Sequence, residues 1–156
     1  MGYYNFQKDV IFGDNGEEFI CEYLQNKGLK LINTNKDYKY DLKMLKNNKE
    51  VKYEVKTDDK VSKITDTKNH FVEFECVNRY TRKLRPSGIS TSESDWYVFY
   101  YIHINEIWFI KTKTLRDLVK NNNFRIFYEA GDEENPTNGY LINRNDFKKY
   151  FHVHKL

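Results

Sequence analysis

The chain has little of what builds disulfide staples, membrane spans or flexible linkers. Its 156 residues include two cysteines, two prolines and seven glycines. Cys21 and Cys76 stand far apart in apolar surroundings with no metal-type spacing. That gives no zinc-site spacing and favours free thiols in a reducing compartment over a disulfide or redox role. No apolar run approaches the roughly 20 residues of a membrane span. The opening MGYYNFQKDV lacks the apolar core of a signal peptide, so the expectation is a cytoplasmic protein with no membrane partner. A dominant charge is also lacking, since 26 basic against 23 acidic residues leave +3. Such a balance permits a nucleic-acid partner without demanding one.

What the chain does have is aromatic residues, 17% of the total, within a hydrophobic fraction of 39%. That content supports an ordered core despite a mean hydropathy of -0.85. No repeat or linker divides it, so residues 1–156 read as one domain.

Tyr38 to Lys56, YKYDLKMLKNNKEVKYEVK, reads as a β-hairpin. Asn47-Asn48 separates two alternating runs, and Asn tolerates the positive φ that tight hairpin turns require. With those two residues as the loop, paired residue numbers sum to ninety-five, and Asp41 falls opposite Glu54. Facing carboxylates destabilise a sheet unless something positive lies between them, and a divalent metal ion would satisfy that need. Period-two alternation puts Lys56 on the same face as Glu54 and sends Val51, Tyr53 and Val55 to the other. Glu50-Val51-Lys52 has the same spacing, but its Glu50 faces Leu45 and leaves Asp41 without an acidic partner.

Upstream, GDNGEEFICEYLQNK over 13–27 reads as a helix with Asp14 or Asn15 as N-cap and Gly28 as its stop. Helical phase brings Glu17 toward the line of Ile20, Cys21 and Leu24, facing the sheet; complementing the helix dipole is its other explanation. Leu29 to Thr34 is an expected strand. Downstream, NHFVEFECV over 69–77 is a strand whose alternation places Glu73 and Glu75 on one face and Phe74 and Cys76 on the other. The loop NRYTRKLRPSG interleaves Arg79, Arg82, Lys83 and Arg85 with Tyr80 and ends at Ser87. Arg forks suit phosphate and Tyr can stack on an unpaired base; a solvated basic loop explains it equally well.

GISTSES predicts a short helix or tight loop, and Asp95 leads into two buried strands, WYVFYYIHI and EIWFIK. Thr114 is the expected N-cap of a helix through Asn121. Strands are expected over Phe124–Ala130 and Tyr140–Ile142 around the surface loop GDEENPTNG, then a last helix capped by Asn143 or Asn145. His152 and His154 share one face of an extended tail and, without a third ligand, read as surface histidines.

The ordered set Gly13, Glu17, Leu24, Gly28, Asp41 and Glu54-Val55-Lys56 resembles the PD-(D/E)XK nuclease superfamily, most closely the archaeal-type Holliday junction resolvases. Tyr40 stands where the superfamily's name has Pro. The likeness covers about the first third of the chain. Beyond it, Glu73, Pro86-Ser87-Gly88-Ile89, Thr91 and Asp95-Trp96 look like a segment of phage-type and mobile-element members.

The resemblance implies an α/β, restriction-endonuclease-like core, a mixed β-sheet flanked by helices. It also implies DNA phosphodiester hydrolysis leaving 5′-phosphate ends. Catalysis would fall to Glu17, Asp41, Glu54 and Lys56, and Mg²⁺ or Mn²⁺ would be held by Asp41, Glu54, the Val55 carbonyl and Glu17. Arg79, Tyr80, Arg82, Lys83, Arg85 and Ser87 would contact nucleic acid, with Asp58, Glu73, Thr91 and Asp95 supporting the site from behind. A homodimer, as junction resolvases form, is one arrangement. An RNA or single-strand nuclease of the same fold, and a non-catalytic nucleic-acid-binding module, stay open beside it.

Overall fold

The computed structural model describes residues 12, 14–34, 39–58, 66–131 and 134–156. Helix α1 (Asn15–Asn26) precedes strands β1 (Lys30–Thr34), β2 (Leu42–Lys46) and β3 (Lys49–Asp58). Strands β4 (Asn69–Val77) and β5 (Leu84–Pro86) lead to a 3-10 turn at Gly88–Ser90, β6 (Trp96–Tyr101), a 3-10 turn at Ile102–Ile104 and β7 (Glu106–Lys111). Helix α2 (Thr112–Asn121), β8 (Arg125–Ala130), β9 (Thr137–Asn143), a 3-10 turn at Lys148–Tyr150 and β10 (His152–Lys155) follow.

The fold is mixed α/β with two sheets. The larger has six strands in the order β1-β2-β3-β6-β7-β10, the smaller four in the order β5-β4-β9-β8. The large sheet is mixed, because β3 and β6 run parallel while its other pairs are antiparallel.

Asp14 caps α1 by accepting the Glu17 N–H at 2.8 Å, satisfying one of the amides that a helix start leaves without a partner. At the other end Gly28, with φ 96°, turns the chain. Its N–H donates to the Gln25 carbonyl and that of Leu29 to the Leu24 carbonyl. The helix lies so close to β3 that a Cβ on Gly16 would fall 1.8 Å from Thr57 Oγ1. Ile20, Cys21 and Leu24 bury against Tyr53, Val55, Val98, Tyr100 and Phe109 on one face of the large sheet.

The opposite face departs from a sheet flanked by helices. Tyr97, Phe99, Tyr101, Trp108 and Ile110 pack there against Val72 and Ile142 of the small sheet as well as Leu115 and Leu118 of α2. Alternate residues of β6 and β7 thus feed two separate cores, which is why both sequences are apolar without a break. Among the described residues no helix is long and apolar enough to cross a membrane.

Other expectations shift locally. Helix α2 starts at Thr112, not after Thr114, and its first residue is buried with Oγ1 2.9 Å from Ser94 Oγ. The basic segment after β4 is a turn followed by β5 and not one loop. The last helix shrinks to one 3-10 turn, with Asn143 Oδ1 accepting from the amides of Asn145 and Asp146. The histidine tail pairs with β7 as the edge strand β10.

Candidate functional site

The β2–β3 hairpin has the expected register. Leu42↔Tyr53, Lys43↔Lys52, Met44↔Val51, Leu45↔Glu50 and Lys46↔Lys49 all sum to ninety-five. Asn47 and Asn48, at φ 49° and 64°, form the turn. Both central residues are left-handed, which matches the twist of the strands they join.

The ladder changes at Asp41, whose N–H donates to the Tyr53 carbonyl at 2.8 Å. Asp41 therefore stands just ahead of β2, not in a regular pair with Glu54. Its carboxylate reaches across to accept the Val55 N–H at 2.7 Å. The expected proximity survives this departure. Burial and the neighbouring Glu54 charge push the Asp41 carboxyl well above its ordinary value, against the Val55 hydrogen bond and the Lys56 charge. Glu17 pushes in the same direction, so α1 brings a third acid into electrostatic reach.

Glu54 is 7% exposed and pairs with Lys56 Nζ at 3.0 Å. Burial lowers the Lys56 pKa, but the neighbouring Glu54 carboxylate, with Asp41 behind it, outweighs that and keeps the amine protonated. Glu54 and Lys56 thus share one face of β3, opposite to the face that Tyr53 and Val55 bury against α1, and Asp41 joins them from just ahead of β2.

Asp41, Glu54 and Lys56 line a cleft of about 520 Å³, with Glu73 and Cys76 of β4 and the segment Arg85–Gly88 plus Thr91 on the facing wall. A one-residue irregularity builds that wall. Strand β4 pairs Glu73 with Gly139 but Glu75 with Asn138, so Phe74 is an extra residue without a partner in β9. The bulge overturns the expected alternation. Glu73 and Cys76 come to the same cleft, whereas Glu75 turns to Asn138 Nδ2 at 3.0 Å. The Phe74 carbonyl accepts from the Ser87 N–H at 3.1 Å, continuing the register of β4 with β5, and from Ser90 Oγ at 2.8 Å. Gly88 is required there: its φ is 53° and a Cβ would fall 2.2 Å from the Glu73 carbonyl.

Several contributors were not legible as site residues. Arg116 of α2 fastens the turn by donating to the carbonyls of Ile89, at 3.1 Å, and Ser92. Tyr97 pairs with Glu54 in the parallel ladder, and burial followed by the Glu54 charge raises its phenol. A Tyr inside an unbroken apolar strand looks like core, and the residues that Arg116 serves lie more than twenty positions away.

Other expected residues lie elsewhere. Asp95 accepts the Lys52 N–H on Oδ2 at 2.8 Å and donates its own N–H to the Lys52 carbonyl, which aligns β6 with β3. Asp58 lies at the far end of β3, across from Tyr101. Arg79, Tyr80, Arg82 and Lys83 form the exposed β4–β5 turn, where Arg82 pairs with Glu129 at 2.5 Å; of the basic set only Arg85 lines the cleft, with Ser87. Tyr38 and Gly13 lie outside the described residues. His154 hydrogen-bonds Tyr23 Oη through Nδ1 at 2.9 Å.

Among the described residues no group of three or more His, Cys, Asp or Glu side chains is set to hold a metal ion. Asp41 and Glu54 do supply two adjacent carboxylates, and burial, followed by the Glu54 charge, raises the Asp41 carboxyl. Two hard oxygen donors fit an ion that keeps several of its waters. No match was found among models of known protein families, curated proteins or solved structures.

Proposed function

We propose that the chain is a metal-dependent endonuclease that hydrolyses DNA phosphodiester bonds, with the large mixed sheet as a restriction-endonuclease-like core. The observation that carries this is the convergence of Asp41, Glu54 and the protonated Lys56 in a cleft whose facing wall carries Arg85 and Ser87. Asp41 and Glu54, with the Val55 carbonyl and Glu17, would hold Mg²⁺ or Mn²⁺. Such an ion supplies an activated water and neutralises charge on the phosphate.

The protein's own groups do the rest. Lys56 stays charged and offsets the negative charge that builds on phosphorus as the 3′ oxygen leaves. Arg85 offers its guanidinium to phosphate oxygens from the opposite wall, leaving a 5′-phosphate product. Branched DNA of the Holliday-junction kind is the first substrate to try. A second reading, cleavage of single strands or RNA, draws on Tyr80, which is 81% exposed with the Arg79 guanidinium 5.9 Å from its ring centroid.

The test is cleavage of four-way junctions, flaps, duplex, single-stranded DNA and RNA with Mg²⁺ or Mn²⁺, and with EDTA as control. Asp41→Ala and Glu54→Ala should each lower the rate by about 100-fold or more. Either variant cutting as fast as the parent would sink the assignment.

A further inference from the structure

On the opposite face of the large sheet lies a second pocket, about 410 Å³, between the C-terminal half of α1 and strands β3, β6, β7 and β10. Tyr53, Trp96 and Phe109 form an aromatic floor, and Tyr23, His152 and His154 stand around it. Ring packing fixes these walls. His154 lies 5.2 Å from Phe109 and 6.0 Å from Tyr23 between centroids, and His152 lies 5.9 Å from Trp96.

Lys27 and Lys46 complete the lining, which contains no Asp or Glu. Neither lysine has an ion-pair partner among the described residues, whereas Lys39, Lys43, Lys56 and Lys113 all do. Burial, then the charges of Lys27 and His152, push the His154 imidazole below its ordinary value. The pocket therefore offers aromatic surface beneath a positive rim that lacks an acidic partner. A ligand that complements it carries a planar ring at one end and an anion at the other.

We propose that this pocket binds a nucleoside monophosphate unit, with the base on the Tyr53–Trp96–Phe109 floor and the phosphate between Lys27 and Lys46. The unit can be a free mononucleotide or the 5′ end of a strand. The inference does not depend on the proposed hydrolysis, because the two sites use opposite faces of β3.

Titrating the full chain with 5′-AMP while following tryptophan fluorescence tests it. Trp108 is buried at 3% exposure, so the half-buried Trp96 reports on the pocket. Saturable quenching in the millimolar range or tighter is expected, with adenosine and inorganic phosphate each weaker by about tenfold or more. The double variant Lys27→Glu/Lys46→Glu changes only exposed side chains and should weaken AMP by about tenfold or more. Glu54→Gln should bind AMP like the parent, which separates this result from the fate of the nuclease reading. Absence of saturable binding, equal binding of adenosine, or full affinity in the lysine variant would overturn the proposal. A 5′-phosphorylated tetranucleotide that binds like AMP identifies a strand end as ligand, and binding of AMP alone identifies the free nucleotide. Tetranucleotide binding without AMP binding would overturn the proposal, since the pocket holds one unit.

Discussion

His70 lies fully buried, its ring 4.4 Å from that of Phe151 and 4.6 Å from that of Phe99, with Nδ1 2.5 Å from the Tyr101 hydroxyl. Burial, aided by the Arg144 charge, pushes its pKa down to about 3. The folded state therefore keeps His70 neutral where the unfolded chain, titrating near the ordinary imidazole value of 6.5, takes up a proton. Its contribution is fully present above pH 6.5 and is lost as pH falls from 6.5 toward 3, at up to about 1.4 kcal/mol per pH unit. His70→Gln keeps a partner for Tyr101 and removes the titration. The variant should be less stable than the parent at pH 7, and the gap measured by denaturant unfolding should narrow between pH 7 and pH 5. A gap independent of pH would show that His70 titrates alike in both states.

At the scale of elements the β2–β3 hairpin is the most informative unit. Both turn residues are non-glycine at positive φ, which costs free energy at each. Asn48→Gly should relieve the second and raise stability by up to about 1 kcal/mol while leaving the register unchanged. An unfolding midpoint that stays put or drops would show that Asn48 is not strained. This hairpin could be read from sequence because a two-residue turn fixes the pairs from Lys46↔Lys49 to Leu42↔Tyr53; the change at Asp41 lies beyond that rule. Helix α1 was equally legible, since Asp14 and Gly28 mark its ends by chemistry that is local. The β4 bulge was not: Glu73-Phe74-Glu75-Cys76 alternates faultlessly, and only the pairing with β9 shows that Phe74 is supernumerary. Edge strand β10 escaped for a related reason, because HVHK owes its extended form to β7 and not to its own pattern.

For the whole molecule, what counts is how the two sheets are joined. Asp66 before β4 meets Arg144 after β9 through paired hydrogen bonds, one of 3.0 Å, and its carboxylate accepts from His103 Nε2 at 3.0 Å. Burial opposes ionisation of Asp66, but the Arg144 and His103 hydrogen bonds hold its carboxyl far below the usual range. The Arg144 guanidinium also sits 4.4 Å from the Tyr101 ring centroid on β6 of the large sheet. Positions so far apart in sequence gave no sign of this contact. Asp66→Ala leaves Arg144, 5% exposed, without its anion and should cost about 3–5 kcal/mol. Asp66→Leu combined with Arg144→Met should recover most of that loss. If Asp66→Ala changes the denaturation midpoint no more than a surface substitution does, the pair is not what couples the sheets.

The bulge at Phe74 has a practical consequence. By turning Cys76 toward the cleft it leaves a half-buried thiol beside Arg85, whose Nη2 is 3.7 Å from the sulfur. The other cysteine, Cys21, is 1% exposed, and burial lifts its pKa to about 12, so it stays a thiol that reagents do not reach. The natural chain thus carries one addressable attachment point, on the wall facing Asp41 and Glu54. A small fluorophore or spin label placed there, with no engineered cysteine, would record the arrival of metal or nucleic acid in the cleft directly.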